Sequence, residues 1–128
     1  MKFLVVFLGA GLGGMARHAI NIASLRLFGS GFPSGTFIVN VLGSLMMGLI
    51  VEYLALKSDW PQAVRLLLTT GFLGGFTTFS TFSLDTVSIW ERSETWLAAG
   101  YAAASVCLSI AALFFGLAIV RSLVAVHP

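Results

Sequence analysis

The stretch TTGFLGGFTTFSTFS, residues 69–83, lies within apolar sequence and combines three glycines with seven hydroxyl residues. Glycine costs roughly 1 kcal/mol relative to alanine in a helix interior, so a continuous lipid-facing helix gains nothing from this composition. We predict a helix interrupted over residues 71–78 near the membrane midplane, because broken backbone at that depth must be buried in protein or line a cavity. Freed carbonyls would suit sodium and freed amides an anion. Glycines that only allow tight helix crossing are the alternative.

The composition of the whole chain predicts a membrane protein. The 128 residues are 58% hydrophobic and 9% charged, whereas soluble domains carry roughly 25% charged residues. Twelve charged side chains cannot cover a soluble surface, so lipid must be the outer solvent. The basic residues are scattered rather than clustered, which argues against a nucleic-acid partner. The length favours one domain, residues 1–128.

Four segments are long and apolar enough to cross a bilayer, which needs about 20 residues per helix. We predict spans over residues 3–28, 35–56, 63–90 and 95–120, separated by short polar or turn-rich connectors. The predicted fold class is therefore an all-α membrane protein with four transmembrane helices, of which the third is broken.

The distribution of lysine and arginine sets little preference for one orientation in the membrane. On the side of the termini lie Lys2, Lys57, Arg65 and Arg121, and on the other side Arg26 and Arg92. A chain with so weak a bias can insert both ways, and two opposite copies can pair as an antiparallel dimer. The pairs Gly9–Gly13, Ala10–Gly14 and Gly43–Gly48 would let helices pack closely.

Aromatic and hydroxyl side chains follow the predicted break. Phe79 and Phe82 are three residues apart and share a helix face, with Ser80 and Thr81 beside them. Aromatic rings have electropositive edges, so an anion could be met by ring edges while hydroxyls replace part of its water. Simple core packing of the two rings is the alternative.

Polar residues also occur inside the second and fourth spans. Asn40 lies at mid-span, where its NH2 group would either solvate an anion or form a structural interhelical hydrogen bond. Tyr101, Ser105 and Ser109 form a hydroxyl stripe at helical spacing. This stripe would line a polar track or bond back to its own helix.

Arg17 interrupts the first span together with His18, and an intramembrane charge indicates a functional site. Arg17 would either draw anions into a vestibule or form an ion pair, with Asp85 as the partner. The sequence does not distinguish between these two roles.

The sequence shows no set of residues typical of an enzyme. It lacks paired carboxylates at a shared depth, a His-x-x-x-His spacing and a nucleophile elbow, and its single cysteine, Cys107, excludes an intrachain disulfide. Two other functions remain as alternatives. A proton-coupled exporter of the small multidrug resistance type would need an acidic residue in the first span, which has none, and an assembly subunit would not need the polar broken segment.

Three stretches carry a resemblance to a known family. They are GTFIVN at residues 35–40, TGFLGGFTTFSTFS at residues 70–83 and GGMAR at residues 13–17. With these stretches the chain resembles, over essentially its whole length, the small fluoride channels called Fluc or CrcB.

The resemblance implies a dual-topology, antiparallel homodimer in the bacterial inner membrane, with two pores that pass fluoride and reject chloride. Such a channel lets fluoride leave the cell down its electrochemical gradient. By the same resemblance, a structural sodium ion at the dimer interface would be held by main-chain oxygens of Gly74 and Thr77. The residues that correspond to the fluoride pore are Asn40, Phe79, Phe82, Ser80, Thr81, Ser109 and Tyr101.

Overall fold

The computed structural model describes residues 1–57 and 59–126, and in this part of the chain every regular element is helical. The elements are α1 (Lys2–Phe28), α2 (Ser34–Leu56), α3 (Gln62–Leu66), a π-helical segment (Leu67–Leu73), α4 (Gly74–Phe76), α5 (Phe79–Glu91) and α6 (Thr95–Val126). Three of them, α1, α2 and α6, are long and apolar enough to cross a membrane. The prediction of an all-helical, multi-pass membrane protein is confirmed.

The bounds of the long helices agree closely with those predicted from apolar runs. Helices α1 and α2 begin and end within one residue of the predicted spans, because glycine- and proline-rich sequence separates them. Helix α6 runs six residues beyond the predicted end and has 32 residues, or about 48 Å at 1.5 Å per residue. It extends past a bilayer core of roughly 30 Å.

The predicted interruption over residues 71–78 was too wide. Only Thr77 and Thr78 leave the helical region, with φ/ψ of −81°/157° and −151°/117°. Gly71 lies inside the π-helical segment, and Gly74 is right-handed helical with φ −64° and ψ −34°. Gly71 remains helical because wider π-type turns keep its backbone groups hydrogen-bonded, and the Gly74 N–H still donates to the carbonyl of Thr69, so the break itself falls on the two threonines.

The glycines instead serve close packing between α1 and the segment from Leu67 to Phe76. A Cβ added at Gly9 would lie 2.6 Å from the carbonyl oxygen of Leu67, and one at Gly75 would overlap the Ala10 carbonyl. A Cβ at Gly13 would overlap the carbonyl of Phe72. Close packing through Gly9 and Gly13 is therefore confirmed.

The other two predicted pairs behave differently. Ala10 contacts Gly75, but Gly14 has nothing within 4 Å of its would-be Cβ, so the pair Ala10–Gly14 does not form one contact surface. Gly43 lies against Thr77 and Phe76, whereas Gly48 lies against the backbone of Leu113 in α6. The closeness of α2 to both neighbours follows from these two glycines.

Substitution of Gly13 by alanine is expected to destabilise the protein by about 1–3 kcal/mol, the usual cost of overpacking a close contact. The new methyl group would meet the Phe72 backbone, which cannot turn aside. The thermal midpoint in detergent measures this loss. The matched control is Gly11→Ala, since nothing lies within 4 Å of Gly11; an equal midpoint for the two variants would contradict the packing role of Gly13.

Candidate functional site

Asn40 holds the break between α4 and α5. Its Nδ2 donates to the carbonyl oxygen of Thr78 at 3.0 Å, and its Oδ1 accepts from the backbone N–H of Thr78 at 2.8 Å. One carboxamide thus satisfies both backbone groups of a residue that has left the helix. The structural hydrogen bond, one of the two predicted roles of Asn40, is confirmed. The second hydrogen of its NH2 group is not used by these two bonds.

Four main-chain carbonyls, those of residues 74–77, lose their ordinary helical donors at this break, because α5 begins only at Phe79 after its N-cap Thr78. In a continuous α-helix the N–H of Thr78 would reach the oxygen of Gly74, and that of Thr81 would reach the oxygen of Thr77. Instead the Thr78 N–H donates to Asn40, and the Thr81 N–H donates to Thr78 Oγ1 at 3.2 Å as an N-cap. The oxygens of Gly74 and Thr77 are therefore two of the carbonyls that the break makes available.

A cavity of about 360 Å³ lies beside the break, between α2, α5 and α6. Thr77 and Thr78 form one part of its wall, and the amide of Asn40 adjoins them. Apart from Asn40, Thr77 and Thr78, its lining consists of Gly43, Ser44, Met47, Phe79, Phe82, Ser105, Val106, Ser109, Ile110 and Leu113. An apolar cavity with a few converging polar groups is the usual form of a binding site.

The hydroxyls of Ser105 and Ser109 lack partners in this cavity. Both oxygens are buried, and neither has a hydrogen-bond partner within the described residues. The alternative that these serines bond back to their own helix is therefore wrong. Buried polar groups are nearly always paired, so these two hydroxyls indicate a site built to receive a hydrogen-bond acceptor.

A row of aromatic rings leads from the cavity to the end of the helices. Phe79 and Phe82 lie 5.4 Å apart between ring centroids, and Phe82 lies 5.5 Å from Tyr101. Phe32, on the connector between α1 and α2, meets Tyr101 at 5.4 Å with an interplanar angle of 88°. The prediction that Phe79 and Phe82 share a face is confirmed. The structure adds two further rings to the row, those of Tyr101 and Phe32.

Tyr101 and the hydroxyls of α5 occupy defined positions near this row. Tyr101 is buried, and its hydroxyl donates to Asp85 Oδ2 at 3.2 Å. Thr81 lies beside Thr78, whose hydroxyl donates to Thr81 Oγ1 at 3.1 Å. Ser80 is exposed and lies 3.3 Å from the same Thr78 hydroxyl. None of these three residues lines the cavity itself.

The ion pair of Arg17 with Asp85, one of the two roles left open for Arg17, does not form within the described residues. Within residues 1–57 and 59–126 Asp85 is bound by Tyr101, and the ion pairs join Arg92 to Glu94 and Arg121 to Glu52. Arg17 lies half-buried on α1. The lining of the cavity comes from α2, α5, α6 and the break, so Arg17 does not reach it.

Sequence reasoning missed the roles of Thr78 and Phe32, and it named Ser105 only as part of the hydroxyl stripe. Thr78 bonds Asn40 through its backbone and caps α5 through its side chain. Phe32 extends the aromatic row, and Ser105 provides an unpartnered hydroxyl. The signals were present: Ser105 lies in the hydroxyl stripe, and a threonine just before a helix is a typical N-cap.

Comparison with known proteins connects this arrangement to one family. The family described as CrcB-like protein, Camphor Resistance (CrcB), matches residues 4–117. A protein of Granulibacter bethesdensis named fluoride-specific ion channel FluC is 55% identical over 124 residues, which cover 97% of this chain and 98% of that protein. A protein of Nitrobacter hamburgensis named fluoride-specific ion channel FluC 2 is 54% identical over 123 residues, covering 96% of this chain and 99% of the relative.

Proposed function

Because the chain belongs to the CrcB-like family, we propose that it is a fluoride-selective ion channel that lets fluoride leave the cell down its electrochemical gradient. The observation that carries this proposal is the cavity at the helix break, where two buried hydroxyls without partners face aromatic rings. The family is a channel family, so the chain acts as a conduit for an ion and not as an enzyme. The membrane is the bacterial inner membrane, where export of fluoride protects the cytoplasm.

The groups around the cavity suit a small, strongly hydrated anion. Ser105 and Ser109 each offer an O–H, and Asn40 keeps one N–H that its bonds to Thr78 do not use. Three donors can replace part of the water around fluoride. The electropositive edges of Phe79 and Phe82 add a weaker attraction that needs no formal charge. Ser80 and Thr81 on α5 and Tyr101 on α6 lie next to residues of the cavity wall, namely Thr78 and Phe82, and would extend the pore beyond the cavity.

The four helical pieces between Gln62 and Glu91 together form one membrane crossing, the third in chain order. Helix α5 alone has 13 residues, about 20 Å at 1.5 Å per residue, and needs the pieces before the break to complete a crossing of roughly 30 Å. The whole chain then acts as one four-helix channel domain over residues 1–128.

A second, antiparallel copy covers the outer face of the broken crossing. Gly74 is exposed although its carbonyl has lost its helical donor, and Phe79 is 77% exposed beside the cavity. Lipid cannot satisfy a freed carbonyl, so protein must cover this face. Lysine and arginine are distributed with little bias between the two sides of the membrane, which permits the second copy to insert in the opposite orientation. The two copies together provide two cavities.

Labelling of a single cysteine tests the antiparallel arrangement. Ser30 lies in the exposed connector between α1 and α2, and the variant Ser30→Cys is made in a Cys107→Ala background because Cys107 is also exposed. In sealed vesicles, a membrane-impermeant maleimide added outside should label about half of the copies. The remaining copies should be labelled only after the vesicles are lysed. Complete labelling from one side would overturn dual topology.

A sodium ion fits the carbonyls of the break. The freed oxygens of Gly74 and Thr77 are hard, neutral ligands of the kind that unwound membrane helices offer to Na⁺. Two copies would contribute four such oxygens at their shared face. The ion would supply fixed positive charge that holds the two broken helices together, and it is structural rather than transported.

Sodium is therefore expected to stabilise the purified protein. At a sodium concentration ten times its Kd, binding to the folded state adds about 1.4 kcal/mol. The measurement is the thermal midpoint in detergent during a titration from choline chloride to sodium chloride at constant ionic strength. Asn40→Leu, which releases the Thr78 N–H, provides a variant with a weakened response. A midpoint that is identical in sodium and choline would remove the ion from the proposal.

Fluoride efflux from liposomes tests the proposed function itself. Purified protein is placed in vesicles loaded with potassium fluoride, and a fluoride electrode follows efflux after a potassium ionophore is added. Chloride-loaded vesicles are the control. Fast release of fluoride without chloride supports the channel; absence of efflux from folded protein, or release that requires a proton gradient, would favour the exporter class instead.

A further inference from the structure

A second cavity, of about 310 Å³, lies at the C-terminal end of α2, away from the break at Thr77 and Thr78. Its exposed walls are entirely apolar, and it is lined by Leu49, Ile50, Tyr53, Leu54, Trp60, Leu68 and Val120. Its volume is at the lower end of the range of ligand sites, which is roughly 300–1,000 Å³. None of these residues lines the cavity at the break.

The aromatic residues of this second cavity place it at the edge of the bilayer. Tyr53, in the last turn of α2, lies 6.2 Å from Trp60 between ring centroids, with an interplanar angle of 57°. Trp60 precedes α3 on the connector and is 41% exposed. Tryptophan and tyrosine concentrate where the acyl chains of lipids meet their headgroups. A lipid acyl chain in this cavity would therefore have the headgroup end of its lipid beside these rings.

A guanidinium lies at the rim of the same cavity. Arg65 is half-buried, and its Nη2 donates at 2.8 Å to the carbonyl oxygen of Leu54, a residue of the cavity wall. Arg65 forms no ion pair within residues 1–57 and 59–126, whereas Arg121 nearby in α6 is bound to Glu52 at 2.8 Å. A guanidinium carries five N–H donors, so most of those on Arg65 remain for a ligand.

We propose that this second cavity binds one acyl chain of an anionic phospholipid and that Arg65 binds the phosphate of its headgroup. The apolar wall matches the chain, the Tyr53–Trp60 pair matches the ester region, and the guanidinium matches a phosphate, which it can bind with two parallel hydrogen bonds. Lys57, at the end of α2, adds a second positive charge at this end.

Quenching of Trp60 fluorescence by brominated lipids tests the site without reference to fluoride. Trp90 and Trp96 are first changed to phenylalanine, so that Trp60 is the single reporter. The protein is placed in vesicles in which either phosphatidylglycerol or phosphatidylcholine carries bromine on its chains, at equal total bromine. A cationic group near the surface favours an anionic lipid by about 1 kcal/mol, so we expect about fivefold enrichment of phosphatidylglycerol at Trp60.

Three variants make the outcome decisive. Arg65→Gln should abolish the preference for phosphatidylglycerol, whereas Arg26→Gln, at the opposite membrane face, should leave it unchanged. Leu68→Phe narrows the cavity but keeps Arg65, and should lower quenching by both lipids, so the test stands even if Arg65→Gln fails to fold. Equal quenching by the two lipids, or a preference that survives Arg65→Gln, would overturn the proposal. No quenching by either lipid would also overturn it and indicate that protein fills the cavity.

Discussion

Replacing Asn40 with leucine is expected to reduce fluoride efflux about a hundredfold per folded protein. Leucine has a similar size but cannot bond the N–H and C=O of Thr78, and both groups would be left unsatisfied beside the cavity. Each buried orphan costs about 1–3 kcal/mol, and about 2.7 kcal/mol corresponds to a hundredfold change. The break would shift to recover these bonds, and the third donor toward the anion would be lost.

Two further variants test whether the loss of efflux in Asn40→Leu comes from the lost hydrogen bonds of Asn40. Leu42→Ala changes an exposed residue of the same helix that lies outside the cavity lining, and efflux should stay near the wild-type rate. Asn40→Asp keeps an oxygen for the Thr78 N–H but adds a negative charge, so the protein should fold and efflux should remain low. Wild-type efflux from Asn40→Leu would contradict the assigned role.

Local sequence predicted the helices and the neighbours on one helix face. Apolar runs bounded by glycine, proline and charged residues placed the ends of α1 and α2, because lipid demands long uninterrupted helices. The contact of Phe79 with Phe82 followed from a spacing of three residues. These predictions depend on residues close in sequence, and packing did not change them.

Features that depend on distant residues were not predictable in the same way. The break fell on Thr77 and Thr78 because Asn40, 38 residues earlier, competes for the backbone of Thr78. Gly75 packs against the backbone of Ala10, which lies 65 residues earlier on α1. Asp85 accepts a hydrogen bond from Tyr101 and forms no ion pair with Arg17. The sequence spacing of these residues does not distinguish between the two partners.

The location of the break also explains its two threonines. Thr77 donates its hydroxyl to the Leu73 carbonyl at 2.9 Å, which closes the helix before the break. Thr78 accepts from the Thr81 N–H, which starts the helix after it. A hydroxyl on each side therefore supplies the bonds that lipid cannot, and glycine in either position would leave a helix end without its side-chain partner.

Replacing Phe82 with leucine is expected to lower fluoride efflux about tenfold. Phe82 is the central ring of the row, between Phe79 and Tyr101, and it also lines the cavity. Interactions of a ring edge are worth about 0.5–1.5 kcal/mol beyond burial, and about 1.4 kcal/mol is a factor of ten. Leucine fills part of the space but has no electropositive edge.

Comparison of efflux with stability distinguishes a pore role of Phe82 from packing. If the ring only packs, Phe82→Leu should lower the thermal midpoint and leave efflux per folded protein unchanged, because the donors of Asn40, Ser105 and Ser109 remain. If the ring edge meets the anion, efflux falls even where the midpoint is unaltered. Phe115→Leu is the matched control, since Phe115 on α6 is 62% exposed and lies outside the cavity lining; it should change neither quantity.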